Sequence, residues 1–131
     1  MAAKSWGPMH WPGRGLLELL ETARAMTEII AGKMGSDILL LDLNKLTIIA
    51  DFFIIATGDS ERQLGAMAQE LVEKMNEQQG LQPLAVEGTP ESGWILIDYG
   101  AIVVHLFSEA QRERYQLEKL WSGARTVVRM A

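Results

Sequence analysis

Residues 93–121 read GWILIDYGAIVVHLFSEAQRERYQLEKLW, and the reading of this stretch decides the fold. Two apolar runs, Trp94 to Ile97 and Ile102 to Phe107, flank a tight turn at Asp98-Tyr99-Gly100, the signature of an antiparallel hairpin. Ser108 with Gln111 three residues on is a capping box, and it opens an amphipathic helix anchored by Tyr115, Leu117, Leu120 and Trp121. One hairpin thus carries Trp94, Asp98, Tyr99 and His105. That density of aromatic and polar groups on a sheet points to a docking surface.

Upstream, Leu16, Leu19, Leu20, Ala23, Ile30 and Met34 recur at three and four, which predicts an amphipathic helix closed by Gly35 as a left-handed cap. Residues 37–43 (DILLLDL) and 52–57 (FFIIAT) are almost wholly apolar, as strands buried on both faces of a sheet are, and these two are expected at its centre. The connection from Asn44 to Asp51 is apolar for a loop and is expected to lie against the sheet. Ser60 and Gln63 form another capping box, for a helix running to about Gln79 with Leu64, Met67, Leu71, Val72 and Met75 on its buried stripe. A short strand is expected from Pro83 to Glu87, its proline consistent with a sheet edge. The order α β β α β β β α predicts an α/β domain with a mixed sheet and helices on its faces. It spans residues 15–121, between a flexible N-terminal extension, 1–14, and a flexible basic tail, 122–131.

The chain has 131 residues, no cysteine and a net charge of −5. Its size suits one domain with a single core, and the lack of thiols fits a reducing, cytoplasmic setting without disulfides or thiolate metal sites. No run approaches the ~20 apolar residues that a bilayer span requires, so a soluble protein is expected. The charge is unevenly spread: residues 16–119 hold 17 acids against 8 bases. A field of that sign disfavours direct binding to nucleic acid and favours a basic protein partner.

Candidate enzymatic chemistry finds little support. Gly58-Asp59-Ser60 lies at a strand-to-helix junction, but Asp59 and Glu61 place negative charge where a phosphate would sit, and neither a P-loop nor GxGxxG is present. A metal-dependent nucleotidyltransferase, the alternative reading, needs carboxylates that converge on two metal ions. Asp37 and Asp42 lie five apart, on opposite faces of a strand, and no Asp-x-Asp occurs. His105 sits mid-strand, at a spacing that could bring it near Asp98 across the turn, yet no nucleophile elbow accompanies it. His10 lies in the extension, which leaves zinc without ligands. Trp94 begins a strand directly after a glycine-bearing turn, where a large ring suits an interface anchor.

The order and spacing of several motifs carry a resemblance. Asp37-Ile38 leading to Leu41-Asp42-Leu43, the run from Ala50 to Gly58, Ser60 with Arg62, Pro83-Leu84, Glu87-Gly88, Gly93-Trp94, Asp98-Tyr99-Gly100, Val103-Val104-His105 and Tyr115 to Trp121 together resemble the ribosomal silencing factor, or Iojap-like, family over residues 37–121. The resemblance implies a mixed five-stranded sheet, similar in shape to nucleotidyltransferases but lacking their catalytic carboxylates. It implies a non-enzymatic translation repressor without cofactor or metal. Such a protein binds the large ribosomal subunit through its universal protein number fourteen and sterically blocks subunit joining when nutrients run low. Trp94 is then the apolar anchor, Glu87 and Asp98 pair basic side chains, and Tyr99 and His105 complete the patch. Family members usually carry an acid after the Asp-Tyr-Gly turn, where this chain has Ala101, which removes one rim charge. A homodimer through the hairpin or a helix surface is a further, weaker expectation.

Overall fold

The structure, a computed structural model, describes residues 15–131. The expected flexible extension, 1–14, lies outside the described residues.

Ten elements follow in order: α1 (Leu16–Gly32), β1 (Ser36–Asp42), β2 (Phe52–Gly58), α2 (Glu61–Gln79), β3 (Ala85–Thr89), β4 (Trp94–Asp98), β5 (Ile102–Ser108), α3 (Glu109–Tyr115), α4 (Leu117–Leu120) and β6 (Arg125–Met130). The strands form one sheet in the order β3-β4-β5-β2-β1-β6. β2 and β5 run parallel at its centre, and every other pair is antiparallel. The sheet is therefore mixed, as expected, but has six strands rather than five. The sixth comes from the tail expected to be flexible. Val127, Val128 and Met130 pack against the core, and Met130 and Arg129 pair with Ile38 and Leu39. A short β-branched run beside an open strand thus finds enough apolar contact and backbone pairing to order.

All seven residues of β2 are buried, as are six of the seven in β5. The centre of the sheet is therefore β2 with β5, not β2 with β1. One face of the sheet packs under α1 and α2, with Ile38, Leu40, Ile54, Ile97, Val104 and Leu106 meeting Met26, Ile30, Leu64, Met67 and Leu71. The other face carries Leu39, Leu41, Phe53, Ile55, Val103 and Phe107, to which Leu43 and Ala50 at the ends of the β1–β2 loop and Leu117, Trp121 and Ala124 of the short α3 and α4 region add side chains. That uneven cover leaves part of this face open and positions the site.

Local details depart from the sequence expectation in instructive ways. Met34, not Gly35, is the left-handed residue after α1, and its side chain is exposed rather than part of the stripe. Gly35 is needed for another reason, since a Cβ there would lie 2.6 Å from Ile30 Cγ2. The loop between β1 and β2 does not lie on the sheet. Leu43 N–H bonds to the Asp51 carbonyl at 2.9 Å, and Asn44 reaches the Asp51 carboxylate, so the loop closes tightly. Leu43 and Ala50 are buried at its base while Leu46, Ile48 and Ile49 project outward. The last helix breaks at Gln116, which takes the left-handed conformation and separates α3 from α4. The edge strand is Ala85–Thr89, two residues later than expected.

Candidate docking groove around Trp94

Side-chain alternation along β4 sends Ile95 and Ile97 into the core and Trp94, Leu96 and Asp98 to the open face. Strand pairing then sets their neighbours. Leu96 lies between Glu87 on β3 and His105 on β5, and Trp94 lies beside Phe107. Trp94 stacks at a tilt on Phe107, with ring centroids 4.9 Å apart, and on Tyr115 of α3 at 4.6 Å. Its indole N–H donates to Nδ1 of His105 at 3.3 Å. Glu87, Gly88, Ser92, Trp94, Leu96, Gln111 and Tyr115 together line a groove of about 380 Å³.

Two glycines shape this groove. Gly88 has φ +85°, and a Cβ on it would stand 1.9 Å from the Trp94 carbonyl oxygen, so only glycine lets β3 pass so close to β4. Gly93 has φ +77°, and a Cβ there would meet Ser108 Oγ and Gln111 Cγ within 2.8 Å. The turn between these glycines is strapped to α3, because Gln111 Nε2 donates to the Ser92 carbonyl at 3.0 Å. Ser108 Oγ caps α3 by accepting from the Gln111 N–H, as the capping box predicts. Turn, strand and helix therefore hold Trp94 from three sides.

The sequence-expected patch is brought together only in part. Glu87 is exposed on the groove rim and Trp94 half-buried in its wall. His105 is only 5 % exposed and lies behind Trp94, beside the Phe53 ring at 4.7 Å. Its Nδ1 accepts from the indole, so its proton sits on Nε2, which is buried without a partner among the described residues. Burial pushes its pKa down from 6.5 to about 4, which keeps the ring neutral. His105 thus supports the patch and has no exposed edge for a partner. Asp98 does not approach it: Asp98 pairs with Val103, and its Oδ1 accepts the Gly100 N–H at 2.7 Å, fixing the hairpin turn. Tyr99 leaves the patch altogether. It continues the alternation that sends Ile95 and Ile97 inward, so its ring lies on the opposite face, in the core beneath α1 and α2, where it is 3 % exposed with its hydroxyl unpartnered. Burial raises that hydroxyl's pKa from 10.0 to about 12.

Leu96, Gln111 and Tyr115 were not singled out as groove residues. Leu96 was legible, since it alternates with Trp94 and Asp98 and must share their face. Gln111 and Tyr115 reach the groove only through the packing of α3, which no local pattern encodes. Among the described residues, no group of three or more His, Asp or Glu side chains could hold a metal ion, and no helix is long and apolar enough to cross a membrane. Asp42 is instead ion-paired with Arg125 at 3.1 Å.

Residues 17–130 match the family described as "Ribosomal silencing factor during starvation". The chain is 40 % identical over 110 residues to the ribosomal silencing factor RsfS of Halalkalibacterium halodurans, covering 84 % of this chain and 91 % of that protein. It is 41 % identical over 92 residues to RsfS of Bacillus subtilis, covering 70 % and 77 %. Among solved structures, a Chromobacterium violaceum protein superposes with a TM-score of 0.76 at 36 % identity, covering 87 % of this chain and 96 % of that one. The matched span takes in β6, which lay outside the resemblance read from residues 37–121.

Proposed function

Because the chain belongs to the ribosomal silencing factor family, we propose that it represses translation in the cytoplasm by docking on the large ribosomal subunit. It does so through the subunit's universal protein number fourteen and sterically blocks joining of the small subunit when nutrients are limiting. The observation that supports this reading is the groove itself. Trp94 and Tyr115 form an aromatic wall, His105 fixes the indole from beneath, and Glu87 places a carboxylate on the rim. Aromatic anchors beside an acidic rim suit a basic protein surface, and the surrounding charge has the right sign. Asp98 contributes a more distant rim charge, and Tyr99 contributes no contact. Occlusion needs neither a cofactor nor a metal.

Co-sedimentation with purified large and small subunits, at two salt concentrations, tests the proposal. The expected result is binding to the large subunit alone, weakened by salt, by Glu87→Ala and more strongly by Trp94→Ala. Absence of binding to either subunit would overturn it.

A further inference from the structure

The open face of the sheet continues from the Trp94 groove to the β6 edge, where charge and surface change character. An aromatic line runs across it, from Tyr115 and Trp94 through His105 to Phe53 and then Trp121, whose ring meets Phe53 edge-on at 5.7 Å. Beyond Trp121 lies a second groove of about 770 Å³. Its apolar lining comes from Leu39, Leu41, Trp121, Ala124 and Met130, and its rim carries Lys119 and Arg129. Neither cation takes part in an ion pair among the described residues.

This end of the molecule opposes the rest in sign. Residues 16–116 hold sixteen acids against seven bases, whereas residues 117–131 hold Lys119, Arg125 and Arg129 against Glu118 alone. It also ends in an open strand edge. Among the described residues no strand lies beyond β6 in the sheet, and β6 contains neither proline nor glycine. An unpaired edge offers N–H and C=O groups to another chain. Glu118 Oε1, buried without a donor, lines the same groove.

We propose that β6 and the adjoining Trp121 groove form a second docking surface, which takes an extended acidic segment of a partner protein as an added strand. The backbone of that segment pairs with the free edge of β6. The side chains on its groove side then supply both apolar groups for the lining beside Trp121 and carboxylates for Lys119 and Arg129. A phosphate backbone fits less well, because it cannot complete a strand edge. This surface is separate from the Trp94 groove and does not rest on the ribosomal reading.

The test is fluorescence anisotropy on the full chain with a labelled synthetic peptide of repeated Val-Thr-Glu-Thr, which puts Val and Glu on one face of a strand. The comparison probes are the same peptide with Lys for Glu, the same peptide N-methylated at alternate residues, and oligouridine. Saturable binding of the acidic peptide is expected, with loss on N-methylation and slowed hydrogen exchange at β6. Lys119→Glu combined with Arg129→Glu should weaken it by on the order of tenfold, as for two reversed rim charges. Lys74→Glu, a single charge reversal on α2, should leave it intact. No binding, equal binding of the Lys peptide, tighter binding of oligouridine, or undiminished binding by the double variant would each overturn the proposal. Should the double variant fail to fold, the N-methylated peptide against the unaltered chain decides: equal affinity excludes strand addition.

Discussion

The Trp94 indole N–H donates to Nδ1 of His105, a ring held 95 % out of solvent between Phe53 and Phe107. The bond requires His105 to be neutral, since a protonated Nδ1 would oppose the indole N–H. The pKa of His105 lies near 4 in the folded chain against 6.5 for an ordinary histidine. The unfolded chain therefore binds the proton first on acidification. Stability from this group is complete above pH 6.5 and falls away down to about pH 4, by on the order of 3 kcal/mol. Denaturant unfolding at pH 7.5 and 4.5 should show His105→Phe losing less stability on acidification than the parent. At neutral pH the lost bond and the removal of the unpartnered Nε2–H oppose each other, so the variant's stability should stay within about 1 kcal/mol of the parent, and its subunit binding should fall, because the indole is freed to turn.

Tyr99 yields the opposite expectation. Its hydroxyl is buried without a partner, so Tyr99→Phe removes an unsatisfied polar group and should leave stability unchanged or raise it by up to about 1 kcal/mol. The folded pKa is raised to about 12, so the parent's stability from this group is intact below pH 10 and declines as pH rises towards 12. Thermal melts across that window should show the variant declining less. Subunit co-sedimentation should not distinguish the two proteins, which separates a core tyrosine from a docking one.

At Gly88 the backbone itself is the constraint. A Cβ would overlap the Trp94 carbonyl oxygen at 1.9 Å, and φ of +85° is strained for any L side chain. Gly88→Ala should cost about 2–3 kcal/mol, through strain and partial separation of β3 from β4. Unfolding in urea measures that loss. Because Gly88 also lines the groove, the portion that still folds should bind the large subunit less tightly than the parent.

Much of this fold was legible because its central elements follow simple periodicities. The unbroken apolar run of β2 reads as a buried strand and residues 102–107 as the second strand of a hairpin, and the Ser60 and Ser108 caps start α2 and α3 where the hydroxyl-to-amide geometry demands. What was not legible depends on contacts distant in sequence. β6 is a modest β-branched run that orders because Ile38 and Leu40 lie beside it; Tyr99, by contrast, continues the alternation that sends Ile95 and Ile97 into the core, so its absence from the patch could have been read from the strand period. In the site, Trp94 emerged from its strand position and Glu87 from the family resemblance. The supporting role of His105 did not, since it requires the cross-strand register that puts Leu96 opposite it and Trp94 one step away.

Arg112 supplies the last test. Its Nε and Nη1 reach Glu118 Oε2 at 3.1 Å, the Asp37 carbonyl at 2.6 Å and Thr57 Oγ1 at 2.9 Å. It thereby ties α3 and α4 to β1 and β2, at the point where Asp37 takes φ +47° and the β1 register shifts. The side chain is 12 % exposed and Glu118 34 %, so the pair is partly buried. Arg112→Met should destabilise the chain by about 2 kcal/mol, chiefly because Glu118 is left charged without its partner. Adding Glu118→Gln should recover part of the loss, since the neutral amide tolerates that position better. A double-mutant cycle by denaturant unfolding measures the coupling. Additive losses would show that Arg112 acts through the Asp37 carbonyl and the Thr57 hydroxyl and not through Glu118.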